Sequence, residues 1–114
     1  MPGIRIDSLT FNEKNNTYTI LATLGVLGKI ENVEWIVTPP NFQGTNCMDL
    51  FLKNLYIDRI ETTPVDGKFD SSVENIKIIA NASKINLSEP YWMCLKIEDS
   101  TGINLFLTSL IHYT

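Results

Sequence analysis

Apolar and polar positions alternate with a period of two along much of the chain. Ile4 and Ile6 alternate with Arg5 and Asp7, while Tyr18, Ile20, Ala22, Leu24 and Val26 share one face. Val33, Trp35 and Val37 alternate with Glu34, Ile36 and Thr38. Ile76, Ile78, Ala80 and Ala82 alternate with Lys77, Ile79 and Asn81, and Tyr91, Met93, Leu95 and Ile97 with Trp92, Cys94, Lys96 and Glu98. In a strand this period sends successive side chains to opposite faces. Polar or proline-containing breaks separate the runs: Asn12–Asn16, Gly28–Asn32, Thr38-Pro39-Pro40-Asn41, Val65–Lys68, Asn86–Pro90 and Asp99–Gly102. Proline removes a ladder donor. Asp suits the first position of a tight turn, and Gly tolerates positive φ at its last. The pattern predicts an all-β domain of about seven strands, spanning 1–114 as a single unit.

The segment Cys47–Ile60 admits two readings. It forms either a helix capped by Asn46, with Met48, Phe51, Leu52 and Leu55 on one stripe, or a strand. The favoured reading is a short helix near 47–54, followed by a strand near Leu55–Thr62.

The last two runs raise a packing problem. If Tyr91, Met93, Leu95 and Ile97 enter the core, the turn sets Leu105, Leu107, Ser109 and Ile111 inward as well. Trp92, Cys94, Phe106, Leu110 and His112 then face outward, and Ile36 joins them from the third strand. Covering an apolar patch of about 400 Å² is worth roughly 10 kcal/mol gross, before association costs. Either a partner covers these six residues or Cys47–Ile60 folds over them; the partner reading is preferred. The final strand, Ile103–Tyr113, also lacks proline and any charge apart from His112, so its edge is open to pairing with another subunit.

"YWMCLKIEDSTGINLFLTSLI", residues 91–111, resembles the last hairpin of bacterial and phage immunoglobulin-like and PKD-type domains, and Trp35 sits where such folds place a core tryptophan. The resemblance covers about a third of the chain. It implies an Ig-like antiparallel β-sandwich. The position two residues beyond Tyr91 holds Met93 rather than the antibody-type cysteine, so no core disulfide is implied and Cys94 points away from the core.

Composition narrows the chemistry. The chain has 114 residues, 44% of them hydrophobic, and a net charge of −4. Its nine basic residues are spread singly, which argues against nucleic acid and anionic membranes as partners. No basic region followed by an apolar run opens the chain, and the stretch Ile20–Leu27 is too short to cross a bilayer, so cytoplasmic synthesis is expected. With two cysteines, free thiols are the expected state. Asn15, Asn81 and Asn86 head Asn-x-Ser/Thr sequons, which matter in a secretory setting.

His112 is the sole histidine, too near the end of the last strand to anchor a catalytic triad, and its spacing from Cys47 and Cys94 does not suggest a dyad. Three Cys/His residues cannot form a structural zinc site. Asp66 and Asp70, with Asp58 or Asp99, form a weak calcium candidate, read as a solvated loop. No catalytic, metal or cofactor site is expected. The function expected is non-enzymatic: an assembly module, of the kind found as an accessory protein of a phage capsid or tail, that contacts its own copies or other virion proteins. A carbohydrate-binding sandwich using Trp92, Tyr91 or Phe42 is the alternative, and an OB-type barrel stacking bases on Phe51 and Tyr56 the third.

Overall fold

The computed structural model describes residues 3–113. It contains β1 (Gly3–Asn12), β2 (Thr17–Gly25), β3 (Ile30–Val37), α1 (Cys47–Leu52), β4 (Asp58–Pro64), β5 (Val73–Asn81), β6 (Tyr91–Asp99) and β7 (Asn104–Ile111). All pairings are antiparallel, in the order β1-β2-β5-β4-β3-β6-β7. The fold is all-β, seven strands and one short helix, as the alternation predicts.

One sheet curls around one core. β4 makes the turn: it pairs with β3 from Asp58 to Thr62 and then with β5 at Thr63 and Pro64. The strands on either side of it bring their inner faces together. Ile20, Leu24, Ile76 and Ile78 come from one half, and Val33, Trp35, Met93, Leu95 and Ile97 from the other. All are essentially without solvent contact. In β5 the exposure alternates strictly, residue by residue, as a period-two strand with one buried face must.

Ile111 is in the core, with Leu105, Leu107 and Tyr91 packed against it, which is the inward set the pattern assigns. The Asp99 turn also forms as read. The Asp99 carboxylate accepts the amides of Thr101 at 2.9 Å and Ile103 at 3.3 Å, and Gly102 takes φ +84°. These bonds, that to the Thr101 hydroxyl first, hold the Asp99 pKa below the ordinary carboxylate value.

Two boundaries differ from expectation. The second break ends before Ile30, because Ile30 is fully buried and its amide bonds the Ser71 carbonyl at 2.9 Å. The middle strand starts at Asp58 rather than near Leu55. The Leu55 amide returns to the Leu50 carbonyl and that of Ile57 to Val37, both at 2.9 Å, so these residues carry the chain from helix to sheet.

Candidate functional site

The outer face of β3, β6 and β7 is covered from within the chain. After Val37, Pro39 and Pro40 end the strand, and residues 41–57 pass back across the sheet. Here α1 lays Cys47, Leu50 and Phe51 on Ile36, Cys94 and Phe106, with Phe42 and Tyr56 at the margin. These helix positions are spaced i, i+3, i+4, which puts them on one side of the helix. The stripe expected from the sequence is corrected by one position: Phe51 faces the sheet, whereas Met48, Leu52 and Leu55 are exposed. Asn46 sits at the N-cap but in the left-handed region, φ 64°, and makes no side-chain cap; its Nδ2 instead donates to Asp49 Oδ2 at 2.7 Å.

Cys47 and Cys94 are joined as a disulfide, with Cα atoms 5.9 Å apart, and no cysteine is free. The expectation of free thiols is therefore corrected. Cys94 does point away from the main core, as its place in the alternation requires. There it meets Cys47, which the helix delivers to the outer face. A six-residue helix is far below the length stable alone in water, so packing and the covalent link hold it.

These contacts change the status of the six proposed interface residues. Ile36 and Cys94 are fully buried beneath α1. Phe106 is half-buried, its ring 5.6 Å from that of Phe51. Trp92 is half-buried against Gly44, whose φ of +83° and missing Cβ let the backbone lie on the indole. Only Leu110 and His112 remain exposed, and the His112 Nε2 lies 2.9 Å from the Ser88 carbonyl oxygen. Ile36, Cys94, Phe106 and Trp92 are thus sheltered by their own chain, and of the outward apolar set Leu110 stays exposed.

A polar rim flanks this cover. Glu34 bridges Arg59 at 2.8 Å and Lys96 at 3.5 Å, and the Arg59 guanidinium lies 5.4 Å from the Tyr56 ring centre and 5.9 Å from that of Phe51. Such stacking adds roughly 0.5–1 kcal/mol at exposed sites.

The rings considered for sugars or bases are engaged elsewhere. Tyr91 is half-buried, and its hydroxyl oxygen accepts the Thr38 amide at 2.7 Å; burial pushes its phenol pKa up. Phe42 and Tyr56 border the covered cluster, and Phe51 is inside it. The cysteine–histidine dyad is not assembled, since both sulfurs are in the disulfide.

The acid that joins Asp66 and Asp70 is Glu74, not Asp58 or Asp99; oxygens of the three lie within 4.8 Å of one another. Glu74 is buried, and its Oε2 accepts the amides of Asp70 at 2.7 Å and Ser71 at 3.0 Å. Its visible role is to close the β4–β5 connection. No helix among the described residues is long and apolar enough to cross a membrane.

What remains open is an edge. β1 and β7 end the hydrogen-bonded order, and among the described residues no ladder joins them. They approach where Phe11, Tyr18 and Tyr113 cluster, with ring centres 5.0–6.2 Å apart. β1 is interrupted by a register shift between Ile6 and Ser8 and carries Arg5 and Asp7. β7 pairs with β6 without a shift from Asn104 to Ile111 and contains neither proline nor charge. The Asp99 amide bonds the Ile103 carbonyl at 3.2 Å, marking a hydrogen-bonded pair. By the alternation of antiparallel ladders, Phe106, Thr108 and Leu110 then turn their backbone N–H and C=O groups to the free side. The chain matches no family model, no curated protein and no solved structure.

Proposed function

We propose that the protein is a non-enzymatic assembly module that pairs with other subunits, its own copies first, along the free edge of β7. One observation carries this reading: β7 is regular, uncharged and unpaired on one side, whereas β1 at the opposite end has the charges and bulge that discourage pairing. Two β7 strands related by a twofold axis would run antiparallel and offer each other the groups of Phe106, Thr108 and Leu110. The strand order also supports an Ig-like arrangement, with β1-β2-β5 opposed to β3-β6-β7 and β4 between them. A place on a virion surface fits a disulfide-linked chain, because disulfides persist there. The sheet face is no part of this proposal, since α1 occupies it.

Thr108→Pro tests the reading. It removes an outward N–H while leaving the β6 ladder intact. Light scattering after gel filtration is expected to give a dimer or larger species for the native chain and a monomer for the variant, with similar unfolding midpoints. A native chain that stays monomeric at high concentration overturns the proposal.

A further inference from the structure

We propose that Asn15, Asn81 and Asn86 are N-glycosylation acceptors gathered at one end of the sheet. Each heads an Asn-x-Ser/Thr sequon with no proline at the middle position, and each is exposed. The fold brings the first two together although Asn15 and Asn81 lie 66 positions apart in the sequence: Thr17, the hydroxyl residue of the first sequon, pairs with Asn81, and the Ala82 amide bonds the Asn16 carbonyl at 2.9 Å. Asn86 follows in the same loop, tied to the end of the sheet by the Tyr113 amide on the Leu87 carbonyl at 2.6 Å.

The local geometry suits transfer. Asn81 Oδ1 accepts the Ser83 amide at 2.9 Å and the Ser83 hydroxyl at 2.8 Å. Asn86 Oδ1 accepts the same two groups of Ser88, the amide at 3.0 Å. In both, the +2 residue already holds the carboxamide oxygen, and no bond from Nδ2 is found among the described residues. The disulfide supplies the independent argument. A chain that closes Cys47–Cys94 folds in an oxidising compartment, which is where sequons are read. In the transfer, Nδ2 attacks the anomeric carbon of a polyprenyl-diphosphate-linked oligosaccharide. The N–C bond forms as the C–O bond to the diphosphate breaks; the lipid diphosphate leaves with the bonding pair, and the amide proton passes to a base of the transferase. Sugars there would crowd the shallow groove lined by Pro40, Ile85, Asn86 and Tyr91 and keep large partners away from that end.

The test is secretion of the full chain from cultured human cells behind a cleavable leader, with intact mass before and after peptide-N-glycosidase. Three glycans are expected, leaving three Asn-to-Asp conversions on removal. Asn15→Gln, Asn81→Gln and Asn86→Gln should each delete one glycan, and Asn54→Gln, outside any sequon, none. Where a Gln variant is not secreted, Thr17→Val, Ser83→Ala or Ser88→Ala asks the same question. Fewer than two occupied sites on the native chain overturns the proposal, as does a chain that passes through with free thiols. Neither outcome depends on whether β7 pairs.

Discussion

The two outer faces of the curled sheet meet water in opposite ways. The face of β1, β2 and β5 is bare. It presents Thr19, Thr23, Asn75 and Lys77 around the apolar side chains of Leu21 and Ile79, with exposed Val73 at the end of β5 opposite Gly25. Arg5, Asp7, Thr23 and Asn75 tie its surface together in a hydrogen-bonded network. The face of β3, β6 and β7 places Ile36, Cys94 and Phe106 side by side on three strands, and α1 is fastened over them. The difference teaches that contiguity decides. Leu21 and Ile79 among threonines, with Val73 apart at the strand end, are ordinary surface, whereas the clustered Ile36, Cys94 and Phe106 require a cover. Evolution of an outward apolar run need not signal a partner when the same chain carries a segment long enough to return.

Removing the fastening should have the largest effect. The bond closes a loop spanning 47 residues, worth about 4 kcal/mol in the chain-entropy account. Cys47→Ala/Cys94→Ala is expected to lose about that much stability in urea, and to bind a hydrophobic dye as α1 loosens from Ile36 and Phe106. The bare face should keep its hydrogen-exchange protection below the new midpoint. A loss under about 1 kcal/mol would mean that packing alone holds the cover and the disulfide is incidental.

The sequence made the sheet legible and left the cover ambiguous, for physical reasons. A strand such as Val73–Asn81 announces itself because one buried face imposes strict alternation, whereas in Tyr91–Asp99 the cover over Cys94 buries both faces at Met93, Cys94 and Leu95. The Asp99 turn was readable because its side chain satisfies backbone amides locally. The fate of Ile36, Cys94 and Phe106 was not, because it depends on contacts distant in sequence. Helix α1 is six residues long, and its stripe is too short to fix a phase: Met48 and Leu52 are as apolar as Leu50 and Phe51. The pairing of Cys47 with Cys94 hangs on that phase, and two cysteines in a sequence carry no sign of their separation in space. The open edge of β7 is legible in the sequence, since an absence of charge and proline can be read directly.

Acid should sharpen the contrast from the other side. Asp7, on the bare face, accepts the Thr23 hydroxyl at 2.6 Å and the Arg5 Nε at 2.8 Å. The Thr23 bond first, then Arg5, holds its pKa below the ordinary 3.8. A lowered folded-state pKa contributes stability that is complete above 3.8 and is lost as pH falls through the folded value. The disulfide on the covered face does not titrate. Stability measured in urea against pH should therefore drop below pH 3.8 less steeply for Asp7→Asn than for the native chain. Equal slopes would remove Asp7 from the acid response.

The smallest effect belongs to Leu21→Thr. Leu21 is 36% exposed in the middle of the bare face, opposite Lys77 on β5 and Ser8 on β1. Threonine favours strands, matches its neighbours Thr19 and Thr23, and exposes its hydroxyl to water, so the lost apolar contact is nearly offset. Unfolding free energy should move by no more than about 0.5 kcal/mol, and the oligomeric state should not move at all. If the substitution instead shifts a dimer to monomer, the bare face carries the contact. Subunits would then meet through the threonine-rich surface, β7 would be a bystander, and the face that looked finished would be the one awaiting a partner.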